Sequence, residues 1–261
     1  MKKIILFIII VICSNLSAID LNLPFSAIQN ATSSLVLIYP SPSSSAVNPA
    51  LHCSGVETSA TYLFGIKDIP FYNFHSGLIY KDFGFYLGNS IIEHPLYKES
   101  SSNLGLSYKH RFYSIGLGLR YLYNKVENYH KDSSLIVDWG FSWKNKNITT
   151  GLSIRNVSQS SFLEAKLPVV YLWETSFEIS KDSRFALGFE KEDGFDFSFK
   201  FASRYDIFKM MSILASYQYE PDRLGIGIVF NISKMNVVYS IRTHQYLDLT
   251  HYISVGYAFK K

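Results

Sequence analysis

The chain has 261 residues, of which 48% are hydrophobic, 16% aromatic and only 18% charged, below the roughly 25% charged residues of an average soluble domain. This excludes a disordered chain, which needs few aromatics and a high net charge, and a coiled coil, which needs Ala, Glu, Lys and Leu in bulk. The formal charge of +4 falls to near +2 once Lys2 and Lys3 are set aside with the leader described next. No clustered basic face supports a nucleic-acid partner.

Residues 1–18 read as a signal peptide. Lys2-Lys3 forms the positive start, an apolar run follows from Ile4 to Ile12, and cleavage is expected after Ala18 in Asn15-Leu16-Ser17-Ala18. The run is far short of the roughly 20 residues a membrane-spanning helix needs, so export is expected rather than anchoring. Cys13 leaves with the leader, and Cys53 alone cannot staple the fold; it reads as a buried small apolar residue. Beyond Ile12 no stretch approaches 18 apolar residues, so no transmembrane helix is expected in the mature chain.

Residues 19–53 are expected to form a hatch. Tyr39-Pro40-Ser41-Pro42-Ser43-Ser44-Ser45 is rich in Pro and Ser, while Leu35-Val36-Leu37-Ile38 is apolar. The segment is too short for a domain and too apolar for a plain linker. A plug folded into the lumen of the following domain fits it, the alternative being a disordered extension.

From residue 54 to 261 the sequence alternates with period two. Tyr113, Ile115, Leu117, Leu119, Tyr121 and Tyr123 share one parity; Ser114, Gly116, Gly118 and Arg120 share the other. The same pattern recurs at Leu104-to-Tyr108, Leu135-to-Trp143, Phe195-to-Phe201 and Leu224-to-Phe230. In a soluble sandwich the second face would be uniformly solvated, whereas here it is rich in Gly, Ala and Ser with single charges. That suits an all-β fold, a transmembrane antiparallel up-and-down β-barrel with a lipid-facing exterior and a crowded interior. About fourteen strands are predicted, beginning near Val56, Tyr72, Phe83, Asn103, Phe112, Ser134, Ile148, Leu172, Arg184, Gly194, Ser212, Leu224, Val237 and Tyr252. The count is even, as closure requires. Long connections, all on one side, are expected at 93–102, 126–133 and 157–170.

Catalytic signatures are missing: there is no G-x-S-x-G, H-E-x-x-H, Walker loop or G-x-G-x-x-G opening a helix. The seven His residues show no metal spacing, so no enzyme, cofactor or metal site is expected. The inward parity collects Lys109, Arg120, Lys144, Arg155, Arg184, Lys200 and Arg242. Against them stand Glu57, Asp138, Glu174, Glu178, Glu190, Asp196 and Glu220. A charge-selective pore would show one sign in excess, so this balance predicts ion pairs across a filled lumen. Val238, Ile136, Leu214 and Leu63 break the polar inner parity and are candidates to line an apolar pocket.

The last strand carries Ile253, Val255, Tyr257 and Phe259 on one face. This resembles the C-terminal signal read by the outer-membrane barrel-assembly machinery. Two further motifs extend the resemblance. Ala46-Val47-Asn48-Pro49-Ala50-Leu51 resembles the Asn-Pro-Ala element that precedes the first strand in the FadL-like superfamily, including its PorV/PorQ branch. The stretch Thr243-His244-Gln245-Tyr246-Leu247-Asp248-Leu249-Thr250-His251 resembles that branch's closing hairpin, with Gln245 in place of the usual Pro and Asp248 in place of Gly. The resemblance implies a fourteen-stranded barrel with an N-terminal hatch containing Asn48, Pro49 and Ala50, lodged in the lipid of a bacterial outer membrane. It further implies an accessory for the export or surface attachment of secreted proteins by type IX secretion, or a passive channel for hydrophobic ligands. A soluble periplasmic β-sandwich binding protein is the alternative from another class.

Overall fold

The computed structural model describes residues 23–127, 130–163 and 165–259; the leader expected at 1–18 lies outside them. The wall opens with β1 (Gly55–Tyr62), β2 (Pro70–Tyr80), β3 (Phe83–His94) and β4 (Tyr97–His110). It continues through β5 (Tyr113–Val126), β6 (His130–Asn145) and β7 (Ile148–Arg155). The two short strands β8 (Ser161–Phe162) and β9 (Ala165–Lys166) then form a separate hairpin. The wall resumes with β10 (Val170–Glu178), β11 (Ser183–Glu192), β12 (Ser198–Phe208) and β13 (Met211–Tyr219). It ends with β14 (Arg223–Ile232), β15 (Met235–Arg242) and β16 (Thr250–Ala258).

Fourteen of these strands pair antiparallel with two neighbours each, β7 pairing directly with β10 across the small hairpin. β1 pairs with β16 from Gly55 opposite Ala258 to Tyr62 opposite His251, which closes the barrel. Closure matters because hydrocarbon offers no hydrogen bonds to a free strand edge. The alternation explains the orientation. Leu104, Leu106, Leu117, Leu119 and Leu135 stand about half exposed on the outside, an arrangement stable only against lipid. Their neighbours in sequence, among them Asn103, Arg120 and Ser134, are buried inside.

The two ends differ. At the end where Gly55 meets Ala258, here called the terminal end, the turns are short: Lys81-Asp82, Arg111-Phe112, Lys146-Asn147, 179–182, Lys209-Met210 and Ser233-Lys234. The first residue of four of them, Lys81, Arg111, Lys146 and Ser233, has positive φ, as tight hairpin turns that follow the strand twist require. The opposite, loop end carries the longest connections, 63–69, 156–169 and 243–249.

Two of the long connections expected from sequence turn out to be mostly strand. β3 and β4 pair up to His94 opposite Tyr97, and β5 and β6 up to Val126 opposite His130. The Ser- and Lys-rich outward residues there had concealed the strands, because β-structure above the lipid band needs no apolar face. Conversely, the strand expected from Gly194 begins at Ser198. Gly194 has a φ of 87° and the aromatics Phe195 and Phe197 lie exposed in the connection.

The hatch fills the lumen. Helix α1 (Ala27–Ala31) is capped by Ser26, and a 3-10 turn spans Pro42–Ala46, with the Ser41 N–H donating to Ser44 Oγ at 2.9 Å. Phe25, Ile28, Leu35, Val36 and Ile38 are at most 1% exposed, so the segment supplies the barrel with its core.

Candidate functional site

The candidate functional element is the seam between hatch and wall. A barrel lined by Ser, Asn and charged side chains needs partners for every buried polar group, and the hatch backbone supplies many of them. Starting at β16, the Tyr252 hydroxyl donates to Pro24 O at 2.8 Å and Ser254 Oγ accepts from the Ala27 N–H at 2.7 Å. On β1, Ser59 donates to Phe25 O at 2.8 Å. Asn30 Nδ2 donates to Ser240 Oγ on β15 at 3.1 Å, and Ser33 Oγ lies 2.9 Å from Ser216 Oγ on β13.

Two buried carboxylates bind the hatch rather than lysine or arginine. Glu57 Oε2 accepts from Ser41 Oγ at 2.8 Å and the Ser43 N–H at 3.1 Å. Glu174 Oε2 accepts from the Leu37 N–H at 3.0 Å. Neither makes an ion pair among the described residues, contrary to the pairing expected from charge balance. The physical reason is that backbone N–H groups of a segment inserted in the lumen cannot be assigned to a partner by parity.

Seven of the remaining charges pair with one another. Arg120 bridges Asp138 at 2.9 Å and also donates to Ala46 O at 3.1 Å, with its guanidinium 5.6 Å from the Phe25 ring. Glu190 takes both Arg155 at 3.3 Å and Lys200 at 2.9 Å. Arg242 donates to Gln218 Oε1 at 2.6 Å, and Arg184 meets Glu178 at 2.8 Å. Lys109, Lys144, Glu178 and Arg184 stand at the terminal rim around a cavity facing the hatch. Asp196 does not line the lumen: it is exposed in the connection after β11, because the strand that would have turned it inward starts two residues later. Glu220 is likewise exposed, in the turn between β13 and β14.

The Asn48-Pro49-Ala50 turn is seated on a floor of wall glycines. A Cβ at Gly116 would overlap the Pro49 carbonyl, and one at Gly140 would overlap Asn48 Oδ1; this close approach is what glycine permits there. Asn48 Oδ1 accepts from the Ala50 N–H at 3.0 Å, its Nδ2 donates to Phe141 O at 3.2 Å, and Ser114 Oγ donates to Ala50 O at 2.8 Å. The turn is thus held by β5 and β6. Tyr39 is held at the opposite wall, where its hydroxyl donates to Asn231 at 3.1 Å and Arg204 lies 4.5 Å from its ring. Burial pushes its phenol above the ordinary range against the pull of Arg204.

The apolar residues that break the inner parity are packed rather than lining an open pocket. Leu63, Leu214 and Val238 join Ile28, Phe71, Val229 and Tyr252 in one cluster against α1. Ile136 packs with Leu122, Phe162 and Leu167, so the β8–β9 hairpin, invisible to periodicity because each strand has two residues, is the cover over that patch. The wall is also continuous among the described strands. β2, β3, β4 and β5 pair residue by residue along their lengths. Ile253, Val255, Tyr257 and Phe259 face outward on and just beyond β16.

With this geometry in hand, comparison with solved structures shows the same fold elsewhere. The CymD monoaromatic hydrocarbon channel superposes with a TM-score of 0.66 at 7% identity, over 92% of this chain and 99% of that one. The TodX deltaS2S3 mutant monoaromatic hydrocarbon channel gives 0.65 at 8% identity, over 90% and 99%. No family model and no curated protein matches the sequence. The chain is therefore a closed fourteen-stranded barrel of the architecture seen in hydrocarbon channels.

Proposed function

We propose that the protein resides in a bacterial outer membrane, delivered by a cleaved leader and assembled through its terminal strand. There it works as a hatch-sealed barrel that serves the export or surface attachment of secreted proteins, as the PorV/PorQ resemblance implies. The observation that carries this reading is the hatch itself. Its backbone is hydrogen-bonded to β1, β5, β10 and β16, its apolar residues pack into the lumen, and the wall beside it is unbroken. Such a barrel offers its loop end, not its lumen, to partners.

A second reading, passive passage of small hydrophobic molecules, is supported by the fold likeness to the two monoaromatic hydrocarbon channels and by the apolar cluster against α1. It requires the hatch to shift. Reconstitution separates the two. The export reading expects no steady conductance in planar bilayers, no uptake of toluene into vesicles above the protein-free rate, and co-purification of secreted proteins from native membranes. Protein-dependent toluene uptake without such partners replaces it by the channel reading.

A further inference from the structure

The hatch fits the wall closely except at the terminal mouth. There Leu37, Pro40 and residues 50–53 stand off the rims of β4 to β7, β10 and β11 and leave a cavity of about 180 Å³. Its wall side is cationic: Lys109, Lys144 and Arg184 line it against a single carboxylate, Glu178, which is already engaged with Arg184 at 2.8 Å. Neither lysine has an ion pair among the described residues. The strand register sets hydroxyls between them, Lys109 lying opposite Ser114 and Ser114 opposite Ser142, with Lys144 opposite Thr149 and Thr149 opposite Ser176.

The cavity is not confined to the lumen. Its lining runs over the rim to Phe112 and Tyr113, both exposed toward lipid, and Tyr113 pairs with the outward Trp143. The surrounding rim has an excess of the same sign. Every short turn at this end carries an exposed cation, Lys81, Arg111, Lys146, Lys181, Lys209 or Lys234, against the exposed carboxylates Asp82 and Asp182, whereas the loop end exposes Asp68, Asp193, Asp196, Glu220 and Asp222 beside Lys67, Lys131 and Lys166.

We infer that this cavity is a headgroup site for an anionic phospholipid of the leaflet at the terminal end. The phosphodiester seats between Lys109 and Lys144, and the acyl chains run over Phe112 and Tyr113 onto the apolar wall. Two compact ammonium charges above a hydroxyl-lined floor, in which Ser114 is already engaged with Ala50 O and Ser142, suit a phosphate. An opening that continues into the lipid-facing surface suits one that carries chains. The inference rests on the membrane-barrel reading but not on whether the barrel serves export or passage.

Quenching of Trp143 by brominated lipid tests it, in the full chain carrying Trp139→Phe and Trp173→Phe. Brominated phosphatidylglycerol is expected to bind about tenfold more strongly than brominated phosphatidylcholine, the order set by one to two lysine charges at an anionic surface. In Lys109→Gln/Lys144→Gln the preference should fall to near unity, while Lys67→Gln/Lys131→Gln at the loop end should keep it. An undiminished preference in the double variant overturns the site. So does abolition of the preference by inorganic phosphate at millimolar concentration, which marks a site for the free ion. If the double variant fails to fold, the single Lys144→Gln decides, against Lys144→Arg as the charge-preserving control. Equal preference in those two overturns the site. A wild-type chain that shows no heat-modifiable mobility on gels fails the barrel reading instead, so the two failures are distinguishable.

Discussion

The hatch meets the wall along two seams of different character. Against β13 to β16, α1 presents Ala27, Ile28 and Ala31 to Leu214, Val229, Val238 and Tyr252, its polar groups find Ser240 and Ser254, and Ser33 just beyond it finds Ser216. That seam is predominantly apolar and dry, with Asn236 Oδ1 and the Nε atoms of Arg223 and Arg242 the buried polar atoms on these strands that lack a partner among the described residues. Against β2 to β5 the wall presents Asn73, Ser90, Ser101, Asn103 and Asn124, all at most 4% exposed. Asn73 Oδ1, both serine hydroxyls, Asn103 Nδ2 and both Asn124 amide atoms have no hydrogen-bond partner from hatch or wall. A buried polar atom left in that state costs about 1–3 kcal/mol unless water satisfies it, and polar interiors of this kind hold ordered water. The difference teaches that the grip on the hatch is uneven: apolar burial fixes one side, and a polar strip richer in unpaired groups borders the other. Any opening should begin along β2 to β5.

Substitutions can break or sharpen this contrast. Arg120 is the strong contact from the polar side, tying β5 to both Asp138 and Ala46. Arg120→Met leaves Asp138 buried without its cation and should cost about 3–5 kcal/mol, read as a lower urea midpoint for loss of the fast-migrating folded band. Asp138→Asn in the same chain should recover part of it. On the dry seam, Leu214→Ala and Ile28→Ala should each cost about 2–5 kcal/mol through the cavity they leave. On the polar strip, Ser90→Ala and Ser101→Ala should fall within about 0.5 kcal/mol of wild type, because each removes a hydroxyl that gains nothing from the protein. Losses there equal to those at Leu214 would erase the distinction.

The smallest effect concerns Cys53, beside the Ala50 turn. Burial first, then the nearby Glu57, pushes its thiol up to about 12. A raised folded-state value means that the contribution to stability is complete below the ordinary thiol range and is lost as pH rises toward 12. Maleimide labelling of the folded protein at pH 8 should therefore be far slower than in urea, since the thiolate is the nucleophile. Equal rates would place residue 53 in open solvent.

How much of this was legible in the sequence depends on which force wrote the signal. Alternation is imposed by lipid outside and crowding inside, so the start of nearly every wall strand, from Phe83 to Tyr252, could be read within a few residues. It failed at Tyr97–Ser102, which is strand without an apolar face, and at Phe195-Phe197, which is apolar without being strand. The inward side of Arg120, Arg155 and Lys200 followed from parity alone. Which inward acids would be left to pair with them did not, because Glu57 and Glu174, inward by the same parity, bind hatch N–H groups whose positions depend on a tertiary insertion. Serines 216, 240 and 254 went unmarked as hatch contacts for the same reason. Their only sequence signal is small polar character at inward positions, shared with many serines that touch nothing.

The central claim, that the hatch sits inside the barrel and closes it, is tested most directly by tethering the two. In a Cys53→Ala background, Ser33→Cys/Ser216→Cys places two thiols where hydroxyl oxygens now lie 2.9 Å apart, the side-chain proximity a disulfide needs. The account predicts rapid oxidation to an intramolecular disulfide in membrane-inserted protein that retains heat-modifiable mobility. A folded, heat-modifiable barrel in which the two thiols stay free under oxidant would contradict it, and would put the hatch outside the lumen.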